Sequence, residues 1–257
     1  MAAPERFVAW MSAHVANDKK FGRKVFRYHP RSDEHSKKIC ALVLEDLLVR
    51  CPPLAEHAKA RVIVGGINTS CTFASGKCKT IDLAIGLPAS GSARGLINNL
   101  PLWPGEVARL RLGCEAKQCM TEHSKTKPRI FDELSSSHEI VHQGQPDAIA
   151  AGIVVVNIAK TFASPLRQLS GEGPLIVSNH KQPDVTKSMV NHLRGLKMRD
   201  RVGDVGFDAF ATIVVDCDNL GPATLYIGPP APQPGDRDHY DTFLDRISRA
   251  YAERFGG

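Results

Sequence analysis

In the run from Leu110 to Gln118, Leu-Arg-Leu-Gly-Cys-Glu-Ala-Lys-Gln, a carboxylate and an ammonium stand two residues apart. Successive side chains of an extended strand point to opposite faces, so Leu110, Leu112, Cys114 and Ala116 are expected on one face, and Glu115 and Lys117 on the other. An earlier strand-like run, Thr80-Ile81-Asp82-Leu83-Ala84-Ile85, alternates in the same way, with Ile81, Leu83 and Ile85 apolar and Asp82 opposed to them. If the two strands are adjacent, Asp82 and Glu115 meet at one patch. Two acidic oxygen donors with a lysine beside them suit magnesium-dependent attack on a phosphodiester: the carboxylates hold a hard cation, and the lysine orients water or steadies the phosphate. The same residues also fit a solvated salt bridge on a half-buried strand, in which Glu115 and Lys117 only neutralise each other.

An acid on one strand followed by Glu-x-Lys on the next resembles the PD-(D/E)xK, or restriction-endonuclease-like, nuclease superfamily. Asp82 matches its first acid, Glu115 and Lys117 its (D/E)xK pair, and Gln118 the glutamine that follows the lysine in many members. Thr80-Ile81 stands where the eponymous proline precedes the acid, and the 33 positions from Asp82 to Glu115 are many for a hairpin. The resemblance covers Glu34 to Ile158, the core of what is expected to be one nuclease domain, with 1–33 as a helical, basic addition and 159–257 as C-terminal additions. It implies an α/β fold with a restriction-endonuclease-like core, a central mixed sheet of about five strands flanked by helices. It also implies a metal-dependent DNA endonuclease using Mg²⁺, or Mn²⁺, held by Asp82, Glu115 and the carbonyl of Ala116. Lys117 would help position and deprotonate the attacking water, and Gln118 would support the site or touch the DNA backbone. Cutting both strands takes two active sites, hence a homodimer or larger assembly. The implied settings are bacterial restriction, as a type II enzyme, and antiphage defence, as an effector activated by a small cyclic nucleotide. The alternative from another class is a nucleic-acid-binding or assembly protein without catalysis.

The formal charge of +6 attracts polyanions at neutral pH. No run approaches the ~18 apolar residues of a membrane span, and Met-Ala-Ala-Pro-Glu-Arg has no apolar signal core, so a cytoplasmic protein without membrane contact is expected. The seven cysteines are odd in number and several sit in apolar runs, as reduced core thiols do. A zinc site from Cys71, Cys78, Cys114 and Cys119 lacks the tight pairs of zinc ribbons. Gly76-Lys77 lacks the earlier glycine of a P-loop, Gly171-x-Gly173 the third glycine of a dinucleotide fingerprint, and Ser92 the glycines of a nucleophile elbow.

The elements that must position the acids can be read in order. A short helix is predicted from Glu5 to about Asn17, and a second from Glu34 to Arg50 with Cys40, Val43, Leu44, Leu47 and Leu48 on one stripe. Between them Lys19, Lys20, Arg23, Lys24, Arg27 and Arg31 alternate with Phe21, Phe26 and Tyr28, a pattern that either follows a phosphate backbone or forms a solvated connector. Glu45 is a candidate further acid near the metal or an ordinary solvated glutamate. Cys51-Pro52-Pro53 should stop the helix. Arg61–Val64 reads as the first strand, with Gly65-Gly66 opening a turn. Pro88 to Gly105 reads as a long insert, the first suspect for a binding or assembly element. A second basic stretch, His123, Lys125, Lys127 and Arg129, leads into a helix with Pro128 in its first turn; it carries His138 and His142 at i, i+4, either a metal pair or helix surface. Ala148 to Ile158 reads as a strand buried on both faces. A loop from Ala163 to Pro183 and a helix from Asp184 to Arg199 follow, the latter with Lys187, Arg194, Lys197 and Arg199 as a third basic patch. A strand from Phe210 to Val215 ends in Asp216-Cys217-Asp218, a rival metal site. Tyr240 to Phe255 is the last helix.

Overall fold

Apolar spacing builds the helical layers directly. In the computed structural model, which describes residues 1–16, 26–73, 76, 78–89, 102–167 and 175–257, α1 (Ala3–Ala13) and α2 (Glu34–Arg50) pack together through Phe7, Met11, Ile39, Val43 and Leu47, all fully buried. The basic-aromatic stretch around Lys19, Lys20, Phe21, Arg23 and Lys24, and most of the insert that follows Pro88, lie outside the described residues. Pro52 and Pro53 do end α2, but they also open a helix of their own, α3 (Pro52–Lys59). Proline at the first helical position lacks only an N–H that has no intrahelical partner anyway.

The strands are β1 (Val64–Thr72), β2 (Cys78–Pro88), β3 (Trp103–Pro104), β4 (Val107–Cys119), β5 (Ile149–Asn157), β8 (Ala209–Asp216) and β9 (Thr224–Leu225), joined in one mixed sheet of order β3-β1-β2-β4-β5-β8-β9. Seven strands stand where about five are expected, because β3 and β9 are two-residue edge pairings that no sequence period can reveal. β1, β2 and β4 are antiparallel neighbours, while β4, β5 and β8 run parallel. The crossover from β4 to β5 is α4 (His123–Gly144), and α5 (Asp184–Leu193) lies in the crossover from β5 to β8. One face of the sheet is covered by α1, α2, α3 and α6 (Tyr240–Phe255), the other by α4 and α5. β5 is buried throughout: Ile149, Ala151, Ile153 and Val155 face the first layer, and Ala150, Val154 and Val156 the second. Among the described residues no helix is long and apolar enough to cross a membrane.

Four local expectations are corrected. The first strand starts at Val64 and runs through Gly65-Gly66 rather than turning there; a Cβ at Gly65 would come within 2.8 Å of both the Ala84 carbonyl oxygen and Leu102, so the glycine permits close strand packing. α4 begins at His123, which puts Pro128 in its second turn. Residues 163–183 are not all loop, since β6 (Thr161–Ala163) and β7 (Val177–Asn179) form a separate antiparallel pair. The helix predicted to Arg199 ends at Leu193; Arg199 is buried against Asp208, while the part-exposed Arg194 pairs with Asp236 and Asp238, so both cations already have acidic partners within the chain.

A β-bulge also moves one apolar residue to the other face. Ile85 pairs with Leu112 but Gly86 with Leu110, leaving Arg111 as an extra residue, and Leu110 therefore packs under α4 while Leu112 and Cys114 pack under α2. At Gly86 an added Cβ would fall inside contact distance of the Arg109 carbonyl oxygen. Gly86→Ala is accordingly expected to destabilise the protein by about 1–3 kcal/mol, checked by urea unfolding; an unchanged midpoint would show that the bulge absorbs the methyl group.

His35 lies fully buried among Trp10, His14 and Tyr28, its Nε2 2.9 Å from the Arg27 carbonyl oxygen. Burial first, then the charge of His14, push its pKa down to about 4. A pKa lowered in the folded state means that the unfolded chain takes up the proton first as pH falls. The neutral-ring contribution is whole above about pH 6.5 and lost on acidification towards pH 4, up to about 3 kcal/mol. His35→Gln should flatten that part of the stability curve measured by urea unfolding between pH 7 and 4.

Candidate active site

Asp82 sits where strand pairing lapses on both sides. On the β1 side, Ile67 pairs with Leu83 and Thr69 with Ile81, but Asn68, with φ at 52°, breaks the ladder opposite Asp82. On the β4 side, the pairing ends at Leu83 and Cys114. The irregularity corrects the simple alternation, for Ile81 and Leu83, two residues apart, pack on opposite faces of the sheet. In the gap so formed the Asp82 Oδ2 accepts a hydrogen bond of 2.8 Å from the Ala116 N–H, taking the place of a strand carbonyl. Asp82 and the Glu-Ala-Lys triplet are therefore brought together, as expected.

Glu115, only 7% exposed, is ringed by donors. Lys117 Nζ lies 2.8 Å from Oε1, while Lys79 Nζ lies 3.7 Å and the Ser137 hydroxyl 3.4 Å from Oε2. Lys117 also approaches Glu133 of α4 at 3.5 Å, and Arg129 holds the other Glu133 oxygen at 2.9 Å. Burial and the neighbouring Glu115 charge raise the Asp82 pKa, against the Ala116 N–H and the two lysines. Burial works against the Lys117 charge as well, but Glu115, Asp82 and Glu133 outweigh it and hold the ammonium above its ordinary pKa.

Carboxylate and carbonyl oxygens are the donor types that a hard divalent cation takes. Asp82 has a second oxygen, Oδ1, that accepts no hydrogen bond among the described residues. In an extended strand a residue's N–H and C=O leave the same edge, so the Ala116 carbonyl leaves β4 on the Asp82 side. Burial first, then the Glu115 charge, still disfavour the Asp82 carboxylate with two lysines nearby, an imbalance that a cation would reduce. Among the described residues no three His, Cys, Asp or Glu side chains form a metal-holding group, so a cation here would rest on two carboxylates and a backbone oxygen.

The other candidates lie elsewhere. Gln118 falls by alternation on the opposite face of β4 from Glu115 and Lys117, with its Nε2 lacking a hydrogen-bond partner among the described residues. Glu45 pairs with Arg6 of α1. His138 packs edge-on against Phe207 at 4.9 Å, and His142 Nε2 lies 3.4 Å from Asp208, so one ring belongs to the apolar core and the other borders a buried ion cluster. Of the rival acids, Asp218 accepts the Leu220 and Gly221 N–H groups and serves a turn. Cys71 and Cys114 face opposite sides of the sheet and cannot share a zinc ion. His123 of the second basic stretch is buried against the Asn157 carbonyl oxygen.

Lys79, Glu133 and Ser137 are not singled out by sequence reasoning. Ser137 had a signal, a hydroxyl within the buried α4 stripe Ile130, Leu134, His138 and Val141, with Glu133 one turn before it. Lys79 had none, because alternation from Asp82 puts it on the other face and only the break at Asp82 brings it round. The chain matches no protein-family model, no curated protein and no solved structure.

Proposed function

We propose that the protein is a magnesium-dependent DNA endonuclease with a restriction-endonuclease-like core. The observation that carries this reading is the meeting of Asp82 with Glu115 and Lys117 at a gap between adjacent strands. Apart from the short α3 and β3, the element order α2, β1, β2, β4, α4, β5 supports it, being the helix, first strand, acid-bearing strand, triplet strand, helix, strand succession that the superfamily resemblance implies. Bound by Asp82, Glu115 and the Ala116 carbonyl, Mg²⁺ would activate water and offset charge on the phosphate. Lys117, charged at neutral pH, donates a hydrogen bond to the attacking water or a phosphate oxygen instead of accepting a proton. Ser137 keeps the Glu115 carboxylate in place. Lys125, Lys127 and Arg129, in the first two turns of α4, supply positive charge for the DNA backbone beyond Lys117. A homodimer would place two such sites on a duplex, and a free-thiol protein of this kind belongs in the cytoplasm. Whether a cyclic nucleotide is needed is settled by adding one.

The tight Glu115–Lys117 pair favours a second reading, nucleic-acid binding without catalysis, since a structural ion pair has the same geometry. Purified protein with plasmid DNA and Mg²⁺, with and without cyclic nucleotides and with EDTA as control, separates the two. Nicking that requires the metal supports the endonuclease; binding without nicking under every condition supports the alternative.

A further inference from the structure

From the arrangement around Glu115 we infer that Lys79 is a phosphate-contacting residue held in reserve, neutralising Glu115 until a divalent cation takes over that role and frees the ammonium for a DNA phosphate. This rests on the endonuclease reading. The two lysines at Glu115 are not held alike. Lys117 has a 2.8 Å hydrogen bond to Oε1 and a second acid, Glu133, at 3.5 Å. Lys79 lies 3.7 Å from Oε2, beyond hydrogen-bond length, so among the described residues only Coulomb attraction ties it to Glu115. Oε2 also has the Ser137 hydroxyl at 3.4 Å and keeps a partner when Lys79 leaves. Lys79 stands opposite Cys71 in the β1–β2 ladder, and Cys71 packs on the α4 side of the sheet, the side from which Ser137 reaches Glu115. A cation arriving at Glu115 adds a third positive charge beside two ammonium groups, so it repels the more weakly held of them. That ammonium, on a flexible four-carbon stem, then lies within reach of the substrate without any backbone movement.

Lys79→Met keeps the stem and removes the charge. Mn²⁺ binding, followed by electron paramagnetic resonance without DNA, is expected to tighten by roughly threefold as the competing ammonium disappears. Duplex DNA binding in Ca²⁺, followed by fluorescence anisotropy across a salt series, is expected to lose about 0.9 from the slope of log K against log salt, one phosphate contact. Lys79→Arg should restore that slope and serves as the control for folding. Unchanged or weaker Mn²⁺ binding, or an unchanged slope, in Lys79→Met overturns the inference. Glu115→Gln separates this from the larger reading. If it loses Mn²⁺ while Lys79→Met is silent, only the role of Lys79 falls; if it binds Mn²⁺ as wild type does, the metal site and the Lys79 role fall together.

Discussion

Glu115→Gln is expected to lower Mg²⁺-dependent plasmid nicking by about 10²–10³-fold, because a cation contributes several kcal/mol of charge stabilisation in phosphoryl chemistry and the amide holds it poorly. The substitution is nearly isosteric, and the Ser137 hydroxyl and Ala116 backbone stay where they are. Lys117→Ala should cost a similar or larger factor, about 10²–10⁴-fold, if its ammonium orients the nucleophile in the transition state. The two variants differ in the metal dependence. Glu115→Gln should need more Mg²⁺ to reach its residual rate, whereas Lys117→Ala, having lost a cation beside two carboxylates, should need no more than wild type. DNA binding in Ca²⁺ should survive in Lys117→Ala with a modest loss in salt dependence. Steady nicking rates across a Mg²⁺ titration provide the check, and wild-type activity in both variants would leave the pair a structural salt bridge.

Asp208→Ala is expected to bring the protein to the edge of unfolding, by about 3–5 kcal/mol against a typical total of about 5–15. Asp208 is 3% exposed at the start of β8, and Arg199, 2% exposed, donates to its Oδ1 at 2.9 Å while Arg254 of α6 donates to the same atom at 2.5 Å. The other oxygen accepts the Ala150 N–H of β5 at 2.8 Å. Arg199 also reaches the Pro146 and Ala148 carbonyls, so one guanidinium ties the end of the α4–β5 connection to β8. Burial alone would raise the Asp208 pKa, but His142, Arg199 and Arg254 together hold it well below the usual carboxylate range. Its contribution is thus whole above the ordinary carboxylate pKa and is lost only on strong acidification. Removing the carboxylate strands Arg199 in the interior, which costs more than the pair contributes. Thermal and urea unfolding should both show the loss. Arg249→Ala, on the exposed rim of the same cluster, should stay within about 0.5 kcal/mol of wild type.

Much of the scaffold follows from local chemistry. α2 and α6 run over the residues that their apolar stripes predict, Glu34–Arg50 and Tyr240–Phe255, because a helix period is written into consecutive residues and needs no distant partner. β5 is legible for the same reason, as a continuous apolar run that only a sheet covered on both faces can bury. The Glu115–Lys117 pair is legible too, because two residues apart on one strand is a spacing that strand geometry alone turns into a contact.

What lies between distant residues needed the folded chain. The bulge at Arg111 and the break at Asp82 each change which face the neighbouring residues cover, and a single extra residue in a ladder leaves no trace in an alternation counted along one strand. The gap that turns the Asp82 carboxylate towards the Ala116 N–H, the arrival of Lys79 and Ser137 at Glu115, and the capture of Arg199 by the Pro146 and Ala148 carbonyls all arise from pairings across tens of residues. Sequence by itself determined the long helices, the buried central strand and which residues carry charge. Tertiary structure decided which charges meet, because the energy of a buried carboxylate is set by the partners that packing brings to it and not by its neighbours along the chain.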